Sequence, residues 1–157
     1  MTLADKYCPF CDPDIQERTF AQTGNFMAVY NIAPILPGHS LIIPKMHVTS
    51  FLDITDNELF EMIKFSKRII RVLQVTFKTE AFNWTIQEKE EAGQSVEHLH
   101  LHILPRKMGD LPENEDWYPK LDEFYSAIID SATRPRIPDN HMKKIIRNLT
   151  DVACQIP

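Results

Sequence analysis

The sequence predicts an α+β domain built on a mainly antiparallel sheet, and three observations carry the prediction. Short apolar, β-branched or aromatic runs at 26–31 and 40–44 flank a Pro-rich connection. Two later segments, 82–87 and 96–104, alternate apolar and polar residues with a period of two. A single long segment, 56–77, carries helical spacing. Strands therefore bunch around one helix instead of alternating with several, which a doubly wound sheet would require.

The first two runs, FMAVYN and SLIIP, read as a strand pair turned by Pro34 to Pro37-Gly38. From Asp56 to Phe77 the apolar residues Leu59, Met62, Ile63, Ile70, Leu73 and Phe77 repeat at helical intervals, with Glu61, Lys64, Arg68 and Arg71 elsewhere on the cylinder. Thr55 with Glu58 three residues later has the capping-box pattern and places the helix start. Phe82, Trp84 and Ile86 alternate with Asn83, Thr85 and Gln87, which predicts a half-buried strand with Gln87 on its polar side. After a loop at 88–95, Leu99, Leu101 and Ile103 share one strand face and His98, His100 and His102 the other. Two short helices, around 121–132 and 139–153, complete the expected order. The chain has 157 residues and no repeat or linker, so one domain is expected.

Composition narrows the function classes. With 17 Lys plus Arg against 22 Asp plus Glu, the net charge of −5 leaves no basic surface for a polyanionic backbone, and nucleic-acid polymers are excluded as partners. Small phosphorylated ligands stay open, because a few donors hold them whatever the net charge. No apolar run approaches the roughly 18 residues that span a bilayer. The first residues show no basic stretch followed by an apolar one, so a cytoplasmic protein is expected. In that reducing setting the Cys8-x-x-Cys11 pair reads as metal or redox chemistry, not as a disulfide.

Three imidazoles in one row are the strongest chemical signal. Two residues of strand advance about 6.5 Å and return to the same face. Imidazole titrates near neutrality, so one neutral ring can attack phosphorus while a neighbour offsets charge on the phosphate. A metal held by these three alone would have to draw together a row about 13 Å long, so phosphate chemistry fits better.

The stretch from Ala92 to Lys107, AGQSVEHLHLHILPRK, resembles the histidine-triad (HIT) superfamily, whose signature is His-x-His-x-His followed by two apolar residues. Asn31, Pro37-Gly38-His39 and Gln87 also sit where that family has them, and the resemblance covers about residues 8–109, leaving 110–157 as a C-terminal extension. The segment from Gln87 to Asp110 most resembles the fragile-histidine-triad branch of dinucleoside polyphosphate hydrolases. The resemblance implies a homodimer with a five-stranded antiparallel sheet per subunit and a nucleoside phosphate above the histidine face. It implies that His100 attacks the α-phosphate to form a nucleotidyl-histidine, and that His102 contacts the transferred phosphate, with His98 the first of the triad. Gly93, Gln94, Ser95 and Val96 match the loop that wraps the phosphates through backbone amides and short side chains. Gln87 matches a glutamine near the bridging and leaving oxygens, Asn31 a ribose contact, and His39 a hydrogen-bond partner of the triad beside the substrate.

Alone, Cys8-Pro9-Phe10-Cys11 is open to metal, redox or no role. No strand precedes it and Asp12-Pro13 follows, which disfavours a redox pair at a helix start and favours zinc. His47 and His98 resemble the histidines that complete a Cys-Cys-His-His site in zinc-containing members of the superfamily. Four protein ligands would close such a site, giving zinc a structural role. The expected activity is hydrolysis of a diadenosine tri- or tetraphosphate. Two alternatives stand beside it: hydrolysis of adenosine 5′-phosphoramidates or acyl adenylates, and a zinc-stabilised nucleotide-binding regulator with little turnover.

Overall fold

Every side chain of the segments 26–30 and 40–44 is buried, which is why both read as continuous apolar runs without alternation. In the computed structural model, which describes residues 7–110 and 134–157, these are the central strands β2 (Phe26–Tyr30) and β3 (Ser40–Pro44). They join β1 (Thr19–Gln22), β4 (Ala81–Ile86) and β5 (Leu101–Arg106) in one sheet of order β1-β2-β3-β5-β4. All four neighbouring pairs are antiparallel. The α+β class and the five-stranded antiparallel sheet expected from the sequence are those of the structure. The turn between β2 and β3 needs Gly38: its φ is +93°, and a Cβ there would stand 2.7 Å from Pro105 Cγ and 2.9 Å from the Phe77 ring.

The long helix α1 spans Asp56–Phe77. Its predicted start holds, since Thr55 Oγ1 accepts from the Glu58 amide at 3.3 Å and the Glu58 carboxylate accepts the Thr55 N–H at 3.0 Å. Met62, Phe65, Ile69, Val72 and Leu73 bury against Ala28, Tyr30, Ile42, Leu101 and Ile103 of the sheet. Helix α2, Asp139–Gln155, adds Met142, Leu149 and Ala153 to that core and matches the helix expected over 139–153. Arg68 of α1 caps its far end, donating from Nε to Ile156 O at 2.8 Å and from Nη2 to Ala153 O at 2.7 Å. The helix expected over 121–132 lies outside the described residues. No helix among the described residues is long and apolar enough to cross a membrane.

The opposite face of the sheet carries a smaller core: Met27, Val29, Leu41 and Ile43, covered by Phe10 and Ile15. This face positions the site.

Three expectations need correction. Strand β1 was not foreseen; it is four residues long and carries one buried side chain, Phe20, too little for an alternation to register. On β4 the apolar alternate is not the buried one, for Phe82 and Trp84 are 42% and 41% exposed. The strand forms the sheet edge, and nothing among the described residues of this chain covers that face. Finally, the histidine row is not one strand from 96 to 104. The His98 amide bonds back to Val96 O at 2.7 Å, a three-residue turn that breaks extension, and β5 starts only at Leu101.

Candidate active site

Leu41 of β3 lies opposite His102 of β5, so His102 points to the face of the smaller core. His98 and His100 precede the strand, and all three rings are buried, at 0%, 1% and 0% exposure, not spread over a solvated face. The rings of His100 and His102 stand edge to face with centroids 4.8 Å apart.

Backbone groups settle where each ring keeps its proton. His100 Nδ1 lies 2.7 Å from His98 O. A carbonyl only accepts, so Nδ1 carries the proton and Nε2 of neutral His100 carries the lone pair. His39 Nδ1 accepts the Ile35 N–H at 3.2 Å, so His39 donates from Nε2 to His102 Nδ1 at 2.9 Å. The proton of neutral His102 therefore sits on Nε2. Two neighbouring rings thus carry opposite tautomers, one with a basic Nε2 and one with an Nε2 donor, a set suited to attack on a phosphoryl group and to stabilisation of its oxygens.

His98 is committed elsewhere. Its Nε2 donates to Pro44 O at 2.9 Å, leaving Nδ1 as the basic nitrogen, 3.5 Å from Sγ of both Cys8 and Cys11. Burial, with His47 and His100 nearby, pushes its pKa down to about 4, so the ring is neutral at pH 7 as a metal ligand must be. Cys11 Sγ lies 3.3 Å from His47 Nδ1. The four ligand atoms of Cys8, Cys11, His47 and His98 fall within 4.8 Å of one another and could hold a metal ion. Burial and the adjacent Cys8 push the Cys11 thiol up to about 11, so a bound cation, and not the protein alone, would have to stabilise the thiolates.

A cavity of about 850 Å³ opens beside the row, lined among others by Phe10, Asn31, Leu41, Ser95 and Val96. Asn31 is buried at the end of β2, with Oδ1 accepting the Ala33 amide at 2.9 Å. Gln87 follows β4 and is 8% exposed. His39 is fully buried behind His102, and neither it nor the triad histidines, Gln87, Gly93 or Gln94 are among the residues that line the cavity, whereas Asn31, Ser95 and Val96 are. The loop between β4 and the triad closes on itself: the amides of Gly93 and Gln94 donate to Glu90 O and Lys89 O, and Gln94 Oε1 accepts the Lys89 amide at 2.7 Å. Those two amides are therefore spent within the loop. The buried Gln94 Nε2, with no hydrogen-bond partner among the described residues, is the donor that remains for an anion.

Sequence reading missed three participants. Phe10, between the cysteines, packs edge-on against His98 and His100 with centroids at 5.7 and 5.2 Å. Glu88 accepts from Ser50 Oγ and the Phe51 amide, each at 2.7 Å, and these bonds hold its carboxyl below the usual range while they tie down the start of the loop. Lys89 adopts φ 73° and ψ 162°, a region nearly reserved for glycine, held by its bonds to Gln94. Only the position of Phe10 between the two cysteines offered a signal; Glu88 depends on contacts with a distant segment and Lys89 on bonds within its own loop.

The comparisons agree with this geometry. The HIT domain family model matches residues 12–109. An asymmetrical bis(5′-nucleosyl)-tetraphosphatase from Schizosaccharomyces pombe is 37% identical over 109 residues, 69% of this chain and 60% of that protein, so the chain spans about three fifths of that relative's length. A bis(5′-adenosyl)-triphosphatase from Dictyostelium discoideum is 35% identical over 69% of this chain and 72% of its own. Among solved structures, a zinc-bound histidine triad family protein from Mycobacterium smegmatis superposes with a TM-score of 0.65 at 26% identity, covering 87% of this chain and 84% of that one. With a family model spanning more than half its length and a sheet, helix and triad arranged as described, the chain belongs to the HIT family.

Proposed function

We propose that the protein hydrolyses dinucleoside polyphosphates of the diadenosine tri- or tetraphosphate class through a covalent nucleotidyl-histidine on His100. The observation that carries this reading is the pair of opposite tautomers, fixed by His98 O on one ring and His39 on the other. In the first step the Nε2 lone pair of His100 forms a bond to the α-phosphorus, the bond to the bridging oxygen breaks, and the remaining nucleotide leaves. His102, donating from Nε2, and the side-chain Nε2 of Gln94 would hold the phosphoryl oxygens. Water then attacks the same phosphorus, the N–P bond breaks, and the nucleoside monophosphate is released. Asn31 would take the ribose and Gln87 the bridging oxygen. The names of the two relatives support the substrate class.

The Cys8, Cys11, His47 and His98 group would hold zinc. Ligands 2.1 and 2.3 Å from tetrahedral zinc stand about 3.6 Å apart, and the nitrogen–sulfur separations here are 3.3 to 3.5 Å. Bound there, zinc supplies cross-linking, tying the N-terminal segment to the sheet and keeping the thiols deprotonated. A homodimer joined at β4 would cover Phe82 and Trp84, which a lone edge strand leaves in water; light scattering on Trp84→Glu against wild type tests it, a dimer in the first being contrary.

The deciding experiment is a ranking of kcat/KM for diadenosine tri- and tetraphosphate, adenosine phosphoramidate and an acyl adenylate, with the quenched enzyme analysed by peptide mass spectrometry. A nucleotidyl group on His100 with the dinucleotides ranked first is expected. A higher ranking for the phosphoramidate reassigns the leaving group, and turnover without any modified histidine overturns the mechanism.

A further inference from the structure

The cavity runs from Leu41, opposite His102, to Arg18 at the outer edge of the sheet. The sheet measures it: His102 lies opposite Leu41, Leu41 opposite Val29 and Val29 opposite Thr19. With neighbouring strands about 4.8 Å apart, Thr19 is some 14 Å from the His102 strand. Arg18, just before Thr19, lines the cavity there and donates from Nη1 to Tyr30 O at 3.3 Å. From the other side, residues 134–137 return across the end of β2. Arg134 Nε donates to Ala33 O at 2.7 Å and the Ile137 amide to Ile32 O at 3.0 Å, and between these anchors Arg136 faces the same cavity.

Two guanidinium groups thus bracket Asn31, with Lys143 of α2 as a third cation on the wall. Among the described residues neither arginine has an ion-pair partner. Burial, and after it the charge of Arg136, lowers the Arg18 pKa, so the two like charges act on one another. Four carboxylates share the wall with these cations. Asp12 caps the 3-10 helix Pro13–Arg18 by accepting the Asp14 amide, Asp14 lies in the first turn of that helix, Asp139 in the first turn of α2, and Glu17 is exposed.

We propose that Arg18 and Arg136 form an anion subsite for a second phosphate carried on the ribose, at its 2′ or 3′ oxygen, so that the pocket prefers ribose-phosphorylated nucleotides. The inference rests on the orientation proposed above, with the α-phosphate at His100 and the sugar on Asn31. The aromatic base then takes the apolar wall of Phe10, Ile15 and Leu41, and the sugar edge is left to the basic end. Paired guanidinium forks match phosphate oxygens, and an anion between them removes the repulsion that the empty pocket keeps.

Calorimetry with AMP, adenosine 2′,5′-bisphosphate, adenosine 3′,5′-bisphosphate and ATP tests this on the wild-type chain and on Arg136→Met and Arg136→Lys. One bisphosphate is expected to bind at least about tenfold tighter than AMP, with that ratio near one in Arg136→Met and partly restored in Arg136→Lys. Because Arg136 is exposed, its variants should fold, and thermal melting confirms it. If wild type binds AMP but shows no preference for either bisphosphate, the inference fails and the proposed function stands. If ATP gains as much as the bisphosphates and loses it in Arg136→Met, the subsite serves the phosphate chain and the ribose assignment is overturned. Failure of AMP to bind, with no turnover of diadenosine polyphosphates, overturns the function reading itself.

Discussion

On one face of β2, β3 and β5, Ala28, Tyr30, Ile42, Leu101 and Ile103 meet α1 and α2; on the other, Met27, Val29, Leu41 and Ile43 give way to His98, His100 and His102. The same strands build both, yet the faces are held by different physics. The helix face is packed hydrocarbon, where burial is non-directional and any side chain of the right volume serves. The histidine face depends on directional bonds from Ile35 N, His98 O and Pro44 O, each of which fixes one proton on one ring. A substitution on the first face should therefore change how much protein is folded, and one on the second how fast folded protein turns over.

The widest separation is expected from His100→Ala. With the proposed nucleophile gone, kcat/KM on diadenosine triphosphate should fall by at least about a thousandfold, while denaturant unfolding stays within about 2 kcal/mol of wild type, since one imidazole set between Phe10 and His102 is removed. The mirror image is Ile69→Ala on α1, a side chain with 0% exposure. It should cost about 2 to 5 kcal/mol in urea unfolding and leave kcat of the folded fraction unchanged. A His100→Ala protein that retains turnover, or an Ile69→Ala protein that is fully folded but slow, would break the division.

The helix face was largely readable from the sequence. Helical spacing at Leu59, Met62, Ile70 and Leu73 and the Thr55–Glu58 pattern placed α1 to the residue, because those signals are local and the cap is satisfied within four residues. The histidine face was readable in its membership but not in its geometry. The triad, Cys8, Cys11, His47 and Asn31 were all named from the sequence, yet the turn at Val96–His98 and the spent amides of Gly93 and Gln94 are short-range bonds in a loop without periodicity, and the return of residues 134–137 over β2 is made by bonds between distant segments. The exposed alternate of β4 was misread because periodicity reports that a strand has two faces, not which one is covered.

Over the histidine face lies the Cys8–Cys11 segment, whose Phe10 touches both His98 and His100. Cys8→Ser is expected to lower bound metal, measured by plasma mass spectrometry, from one per chain to near none. Because His98 supplies both the Nδ1 facing that group and the carbonyl that sets the His100 tautomer, kcat should also fall, by about 10- to 100-fold, with KM moving less. Loss of metal with kcat intact would show that the segment only staples the fold.

The smallest expected effect returns to the helix face. Thr55→Ala removes the hydroxyl that caps α1 and should cost about 1 kcal/mol in urea unfolding, with no change in kcat. Its pH dependence has a definite sign. Hydrogen bonds from the Thr55 hydroxyl and amide lower the Glu58 pKa from its ordinary 4.5. A carboxyl whose folded pKa is depressed stabilises the fold above the unfolded pKa, and that contribution is lost as the pH falls through the folded value. The gap in stability between wild type and Thr55→Ala should therefore be widest near neutrality and narrow below pH 4.5. A gap that stays constant into acid would assign the cap's strength to the hydroxyl alone, and a change in kcat at any pH would mean that α1 reaches the histidine rings through the sheet.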